Sequence, residues 1–296
     1  MNSILKNLEN ESIEIIRDTH LKAKNPVFLY SIGKDSSVLL HLFLKAFYPF
    51  RPKLKLLHID TTWKFKEMII FRDLIRDKYN LDLVVHTNKD SKTKNITPFN
   101  SSEYTRIMKT DALKQALKEG GYDFVYGGAR RDEESSRAKE KVLSKRNKFQ
   151  KWDPLNQPIE PWYIFNTHLT EGESFRVFPL SNWTEINIWE YIKTENIEIV
   201  PLYFSKKRKV VKRDNQYFLI DDDRFEFKNG EKIIEKNIRF RTLGCYPLTA
   251  GVESNAKNIS QIINELKKSK YSERAGRLID HDEEGSMELK KKDGYF

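Results

Sequence analysis

The chain has 296 residues, of which 39% are hydrophobic, 12% aromatic and 32% charged. This composition predicts a soluble domain with a substantial core, and it is too aromatic for a disordered chain. No run approaches the roughly 20 apolar residues that a membrane helix requires. The first residues alternate charged and apolar side chains, unlike the apolar centre of a signal peptide. We therefore expect a cytoplasmic protein.

The net charge is +10 and the pI is about 9.3. Nucleic acid, small phosphates and sulfate, or an acidic protein would all fit this charge as partners. Most of the lysines are dispersed or lie in loops and tails, so a solvated basic surface explains most of the excess. The single cysteine, Cys245, excludes an intramolecular disulfide and a CxxC metal or redox pair. No two histidines have the spacing of zinc ligands, so a zinc enzyme is not expected.

Short apolar segments alternate with helical patterns along the first 200 residues. An amphipathic helix opens the chain, and Thr184 and Glu185 begin another that carries Ile188, Trp189 and Ile192. Trp183 and Trp189 are predicted core residues. Residues 88–106 and 151–170 are predicted to be loops. Further helices are predicted at 38–47, 64–79 and 108–119, and strands at 27–30, 54–60, 81–86, 124–126 and 175–180.

This alternation predicts an α/β fold, a doubly wound and mainly parallel sheet with helices on both faces. Ligands bind at the carboxyl ends of the strands in such sheets. Beyond residue 200 the alternation stops, and residues 210–240 have the pattern of a hairpin, with a helix predicted at 259–268. We therefore divide the chain into a nucleotide-binding α/β domain, residues 1–200, and a C-terminal extension packed on it, residues 201–296.

The strongest local signal is the sequence YSIGKDSS at residues 30–37, between an apolar strand and an apolar helix. The start of a helix carries unpaired N–H groups and partial positive charge, so it receives phosphate well. Gly33 permits close approach of a ligand, Lys34 adds charge, and Ser36 and Ser37 add donors. The sequence is neither a GxxxxGK(S/T) nor a GxGxxG motif. A capped strand-to-helix turn without function is the alternative.

SIGKDSS resembles the PP-loop of the ATP pyrophosphatases, SGGKDS, with Ile32 at the second glycine position. That departure is typical of one branch, the small subunit of the heterodimeric bacterial sulfate adenylyltransferases. The resemblance extends over essentially the whole chain. The blocks that carry it are LLHIDTTWKF (56–65), YGGARRDEESSRAKE (126–140), RVFPLSNWTE (176–185), RFRTLGCYPLTAGVESNA (239–256) and GSMELKKKDGYF (285–296).

The resemblance implies an adenine nucleotide alpha hydrolase-like, Rossmann-like fold and adenylyl transfer from ATP to sulfate, within sulfate assimilation. In the family, hydrolysis of GTP on a larger GTPase subunit drives this reaction. It therefore implies ATP as substrate, Mg²⁺ beside the phosphates, GTP on the partner, and contact between the extension and that partner. No membrane or nucleic-acid partner is expected.

Candidate site residues follow from the motifs and from this resemblance. The pyrophosphate portion of ATP is assigned to Ser31, Gly33, Lys34, Asp35, Ser36 and Ser37. Asp60 is assigned to the nucleoside, with a helix N-cap as its alternative. Gly128 lies at the ligand edge, and the catalytic candidates are Lys34, Arg130, Arg131 and Arg137, because guanidinium groups match phosphate and sulfate oxygens. Arg239 and Arg241 are further nucleotide-binding candidates, and Asp35 or Asp132 is a candidate Mg²⁺ ligand.

Several alternatives remain beside these assignments. Glu133 and Glu134 are expected to be part of a solvated surface helix, and Cys245 to be a buried, inert thiol. A sulfonucleotide reductase on the same scaffold would need a redox-active cysteine near its carboxyl end, and a tRNA-thiolating enzyme would typically need two or more cysteines. A nucleic-acid-binding module would need exposed aromatic residues among basic ones.

Overall fold

The computed structural model describes residues 1–50, 52–90, 95–133, 135–160 and 164–268. The block of family resemblance at 285–296, the remainder of the extension beyond residue 268, and Glu134 lie outside the described residues, as do residues 161–163 of the predicted 151–170 loop.

A six-stranded sheet forms the centre of the first 200 residues. Its order is β3-β2-β1-β4-β6-β5, and all neighbours are parallel except β5 and β6. The predicted mainly parallel sheet is therefore confirmed. The strands are β1 (Val27–Leu29), β2 (Lys55–Ile59), β3 (Asp82–His86), β4 (Phe124–Tyr126), β5 (Leu143–Arg146) and β6 (Ser174–Val177).

Helices cover both faces of this sheet, as a doubly wound fold requires. Phe28 and Leu56 belong to the core cluster that includes the apolar side chains of the first three α-helices, whereas Val27 and Leu57 pack with Leu113 on the opposite face. The helices are α1 (Ser3–Lys22), α2 (Lys34–Phe47), α3 (Lys66–Tyr79), a π-helical turn (Arg106–Asp111), α4 (Ala112–Gly120), α5 (Ser135–Ala138) and α6 (Glu185–Glu195).

The chain reverses its direction across the sheet at β1. Strands β1, β2 and β3 follow one another outward, and the chain then returns to place β4 on the other side of β1. The carboxyl ends of β1 and β4 therefore flank a crevice, which is where open α/β sheets bind ligands. Helix α2 begins at this crevice, directly after the motif at residues 30–37.

The predicted start of α6 is confirmed by a reciprocal cap. The hydroxyl of Thr184 accepts a hydrogen bond from the Asn187 amide, and the Asn187 side chain accepts one from the Thr184 amide. Trp183 and Trp189 are fully buried, as expected for core residues.

The C-terminal segment adds a second, antiparallel sheet of order β10-β9-β7-β8, and the predicted hairpin is present. It contacts the first sheet's helices through an ion pair between Arg208 and Glu67 and through the rings of Phe65 and Phe240, 4.8 Å apart. The boundary at residue 200 stays a prediction. The elements are β7 (Lys206–Arg213), β8 (Gln216–Leu219), β9 (Ile234–Arg239), β10 (Val252–Glu253) and α7 (Ile259–Lys268).

Within the described ranges, the helices are all too short or too polar to span a membrane.

The turn between β7 and β8 generates a prediction about stability. Asp214 and Asn215 both have positive φ, 46° and 60°, as in the hairpin turns that favour glycine. Both residues are exposed. We expect Asn215→Gly to raise the free energy of unfolding by about 0.5 kcal/mol, because glycine adopts positive φ without steric cost. Asn215→Val should lower it by about 1–2 kcal/mol. Urea unfolding of the two variants measures both values, and an equal effect of glycine and valine would contradict the prediction.

Candidate functional site

A cavity of about 200 Å³ opens at the carboxyl edge of the central sheet. It lies at the crevice between β1 and β4, where the fold predicts a ligand. The structure thus brings residues from the first motif together with residues from the loop after β4. The predicted site residues that line it are Ser31, Gly33, Lys34, Asp35, Ser36, Gly128 and Arg137.

The turn before α2 holds a backbone conformation that is unusual for its residue. Ile32 has φ 68°, whereas Gly33, the N-cap of α2, has an extended conformation. A left-handed conformation at a β-branched residue costs on the order of 1–3 kcal/mol and is retained only where its surroundings impose it. Ile32 is fully buried in the main core, so packing holds the strained turn in place.

Hydroxyl groups surround the first turn of α2. The Ser36 hydroxyl donates to the carbonyl oxygen of Gly33 (2.9 Å), and the Ser31 hydroxyl donates to Ser36 (3.3 Å). The amide of Lys34 donates to the phenol oxygen of Tyr203 at 2.8 Å. Tyr203 belongs to a short 3₁₀ turn before the second sheet and lines the cavity. It was not among the predicted residues, because no local signal connects residues so far apart in sequence.

Asp35 joins this turn to the loop after β4. Its Oδ1 accepts a hydrogen bond from Arg130 Nε (2.7 Å), and its Oδ2 accepts one from Lys34 Nζ (3.0 Å). Burial alone would raise the pKa of the Asp35 carboxyl, but the positive charges of Arg130 and then Lys34 outweigh it and hold that pKa below its ordinary value. Asp35 is therefore an anion that neutralises part of the positive charge around it.

Gly128 permits the close approach of the β4 loop to α2. A Cβ atom at this position would lie 3.0 Å from the carbonyl carbon of Asp35 and 3.2 Å from its oxygen. Those are backbone atoms of a packed helix, so they cannot move aside cheaply. The absence of a side chain at Gly128 keeps the two halves of the crevice in contact.

The three arginines predicted for catalysis have different environments. Arg130 is buried behind Asp35 and also reaches Asp132, with 3.4 Å between Nη1 and Oδ2. Arg131 donates to the side-chain oxygen of Asn182 at 2.5 Å, and it does not line the cavity. Only Arg137 of the three lines the cavity. The structure thus brings Arg137 to the ligand edge, whereas Arg130 is buried against Asp35.

Arg137 is backed by a buried group of charged residues. Glu140 Oε1 accepts from Arg146 Nη2 at 2.5 Å, and Glu140 Oε2 lies 3.5 Å from Arg137 Nη1. Two buried guanidinium groups, those of Arg137 and Arg146, thus share the single carboxylate of Glu140. This excess of positive charge favours an anion on the cavity side of Arg137.

The remaining predicted residues do not line the cavity. Asp60 follows β2, and its Oδ1 accepts from the backbone amide of Thr62 (2.7 Å) within a local turn. Its alternative role as a helix N-cap is wrong, because α3 begins only at Lys66 and has Phe65 as its N-cap. Ser37 is buried one residue further along α2 than Ser36. Arg239 pairs with Glu265 of α7, and Arg241 pairs with Glu185 at the start of α6. The ligand roles of these residues stay predictions.

The further polar residues that line the cavity include His58, Lys64, Lys109 and Glu133. For Glu133 a solvated surface position was expected, whereas the structure places it at the cavity, half-buried. His58 is buried, and its Nδ1 lies 2.9 Å from the carbonyl oxygen of Tyr30. A carbonyl oxygen only accepts hydrogen bonds, so Nδ1 carries the proton. Burial and then the charge of Lys64 lower the pKa of His58 to about 4, which keeps the imidazole neutral at physiological pH.

The described side chains do not form a ready metal site. In the described ranges, no three His, Cys, Asp or Glu side chains come together as metal ligands would. Both oxygens of Asp35 already contact cations, and Asp132 Oδ2 accepts from Arg130 and from the Glu185 amide. The residues therefore do not fit a Mg²⁺ ion held by the protein itself, and no step below depends on one.

The buried His58 generates a prediction about pH. Its pKa is about 4 in the folded protein and 6.5 in an unstructured chain. Between these values the unfolded chain takes up a proton that the native protein refuses, so the free energy of unfolding falls as pH falls. We expect this residue to contribute a loss on the order of 1–2 kcal/mol between pH 7 and pH 5.

Urea unfolding at both pH values checks this expectation in the wild type and in His58→Asn. Asparagine retains a donor for the Tyr30 carbonyl but does not titrate, so the variant should lose less stability in acid. The same pH dependence in both proteins would rule out this role of His58.

Comparison with known proteins shows the fold and the family of this chain. Residues 25–251 match the model of the phosphoadenosine phosphosulfate reductase domain family, and this is most of the chain. A crystal structure of the FMN adenylyltransferase of Candida glabrata has the same fold, with a TM-score of 0.52 and 19% sequence identity over 93% of this chain and 88% of that chain.

Full-length relatives show to which branch of this domain family the chain belongs. Sulfate adenylyltransferase subunit 2 of Trichlorobacter lovleyi is 56% identical over 99% of this chain and 98% of its own. The subunit 2 of Aliivibrio fischeri is 58% identical over 99% of this chain and 97% of its own. The chain belongs to the sulfate adenylyltransferase subunit 2 family, within the larger family of phosphoadenosine phosphosulfate reductase domains.

Proposed function

We propose that this chain is a catalytic subunit that transfers AMP from ATP to sulfate and forms adenosine 5′-phosphosulfate and pyrophosphate. A sulfate oxygen attacks the α-phosphorus, the bond from that phosphorus to the oxygen bridging to the β-phosphorus breaks, and pyrophosphate leaves with the electron pair. One observation carries the proposal. Lys34, at the start of α2, and Arg137, beyond β4, line one cavity at the ligand edge of the sheet.

The turn before α2 is suited to hold the departing pyrophosphate. The partial positive charge of the helix start and the ammonium group of Lys34 attract the charge that develops on the leaving group. The hydroxyls of Ser31 and Ser36 line the same turn, and each can donate to a phosphate oxygen by giving up its present bond, to Ser36 and to the Gly33 carbonyl respectively. Since Lys34 is buried and already contacts Asp35, its position is fixed before the ligand arrives.

Arg137 is suited to bind sulfate beside the triphosphate of ATP. Sulfate and the triphosphate repel one another, so the site must supply positive charge between them. A guanidinium group can bind two oxygens of a tetrahedral anion, and the Glu140 carboxylate near Arg137 is already paired with the buried Arg146. Arg130 acts differently, as a positioning residue that holds Asp35.

A partner subunit and further cofactors belong to the same proposal. Relatives of this chain carry the name subunit 2, which supports a second subunit, and we propose that this partner is a GTPase whose GTP hydrolysis drives the reaction. The extension, residues 201–296, is the proposed contact surface. Mg²⁺ would enter with the phosphates of ATP, because this ion is commonly held by substrate phosphates rather than by protein alone.

Release of pyrophosphate tests the reaction. The purified chain is combined with its GTPase partner, ATP and GTP, and pyrophosphate is measured with and without sulfate, and with molybdate in place of sulfate. We expect release only when one of the two oxyanions is present. Pyrophosphate release that is independent of both anions, or that requires RNA, would exclude the proposal.

Loss of the Lys34 charge should abolish most of the activity without unfolding the protein. In Lys34→Met, Asp35 retains its ion pair with Arg130, so the turn keeps its main attachment. We expect kcat/KM to fall by about 10²–10³, the usual effect of removing one group that stabilises transition-state charge. The pyrophosphate assay measures the rate, and a circular dichroism melt is the control. A variant that is fully active, or one that is unfolded, would remove Lys34 from the catalytic assignment.

The environment of the single cysteine argues against the function of a sulfonucleotide reductase, which needs a redox-active thiol. Cys245 is buried, and its Sγ lies 3.3 Å from the hydroxyl of Thr61. A buried thiol in this setting contributes packing and no nucleophile. Cys245→Ser should therefore retain sulfate-dependent pyrophosphate release close to that of the wild type. If activity is lost while the melting temperature is unchanged, a chemical role for the thiol has to be considered.

A further inference from the structure

Lys109 reaches the cavity from the face of the sheet opposite to α2. It belongs to the π-helical turn Arg106–Asp111, which leads directly into α4. Helix α4 packs through Leu113 on the second core cluster, and both Leu113 and Lys109 line the cavity. Lys34 enters from the helix on the other face. Cations from two opposite sides therefore meet at one edge of the sheet.

The π-helical turn is held by a buried amide. Asn88, two residues after β3, is buried, and its Nδ2 donates to the carbonyl oxygen of Ile107 inside the turn at 2.8 Å. The Asn88 Oδ1 accepts from Gln115 Nε2 and from the Asp90 amide, both at 2.9 Å. The Asn88 nitrogen faces an acceptor and the Asn88 oxygen faces two donors, so the orientation of its side-chain amide is fixed.

This turn decides where Lys109 lies. A π-helical turn has i→i+5 hydrogen bonds and contains one residue more than an α-helical turn, and such turns are frequent at functional sites. One residue of helical register rotates a side chain by about 100° around the helix axis. Without the additional residue, the Lys109 side chain would not keep its present direction relative to α4.

The charges around the cavity indicate what Lys109 binds. The cations lining it are Lys34, Lys64, Lys109 and Arg137, against the carboxylates of Asp35 and Glu133. The carboxylate of Asp35 is already paired with Arg130 behind the cavity. The excess of positive charge favours an anionic ligand, and an ammonium group is a good partner for phosphate or sulfate oxygens.

We propose that Lys109 binds a tetrahedral oxyanion of the substrates, either a phosphate of ATP or the sulfate, and that Asn88 positions it through the π-helical turn. This inference rests on the proposed function and adds a residue from the second face of the sheet to that site. It assigns Asn88 no contact with substrate.

Substitution of Lys109 tests the binding role. Loss of a charge-assisted hydrogen bond should weaken the affected ligand about 10- to 100-fold in Lys109→Gln, and Lys109→Arg should recover part of it. The matched control is Lys118→Gln, an exposed lysine of the following helix α4 that does not line the cavity. Calorimetric titration of the full chain with a non-hydrolysable ATP analogue gives Kd, and the assay with the partner gives KM for sulfate.

The two measurements distinguish the two oxyanions. A higher Kd for the ATP analogue assigns Lys109 to a phosphate, and a higher KM for sulfate with unchanged Kd assigns it to sulfate. If both constants in Lys109→Gln equal those of Lys118→Gln, the inference is wrong. A wild-type protein without sulfate-dependent turnover would instead contradict the proposed function, so the two failures are distinguishable.

A double-variant experiment tests the role of Asn88. Asn88→Ala should raise the same constant, Kd or KM, that Lys109→Gln raises. The double variant should have the same constant as Lys109→Gln alone, because both substitutions disrupt the same interaction between Lys109 and the ligand. Additive losses would show that Asn88 and Lys109 act independently, and an unchanged constant in Asn88→Ala would show that Asn88 acts only on stability; either result would overturn its positioning role. If Asn88→Ala melts below the assay temperature, Gln115→Ala is used instead, because it removes only the hydrogen bond from Gln115 to the Asn88 side chain.

Discussion

The ion pair between Asp35 and Arg130 is the contact on which the site depends. It connects the first turn of α2 to the loop after β4, so it spans the crevice at which the chain reverses direction across the sheet. Arg130 is almost completely shielded from water, and a buried charge left without its partner costs about 3–5 kcal/mol. The pair therefore fixes the distance between the two sides of the cavity, and Gly128 allows that distance to be short.

Around this pair the site is rigid before any ligand is bound. Ile32 is held in a strained conformation by its packing, and Tyr203 and Asp35 engage the amide and the side chain of Lys34. Transfer of a charged group between two anions gains most from charges that need no rearrangement at the moment of reaction. Packing of the surrounding core thus holds a few polar groups in fixed positions.

Local patterns predicted much of this structure. The apolar strands, the cap of α6 at Thr184 and the hairpin before residue 220 have signals within a few residues, and the sequence SIGKDSS marked the turn before α2. Strand β5 was missed because Lys145 and Arg146 give it no apolar alternation, and pairing with β6 makes it a strand. Tyr203 and Lys109 were missed for a related reason. Contacts across the fold bring them to the site, and no spacing in the sequence encodes such contacts.

The hydrogen bond from the Lys34 amide to Tyr203 links the two sheets mechanically. Tyr203 lies three residues before β7, whose Arg208 is tied to α3 through Glu67. A shift of the second sheet by even one ångström would withdraw the phenol oxygen from the helix start and release a backbone donor toward the cavity. The donors that the turn before α2 can offer to an anion are thereby coupled to the position of the second sheet.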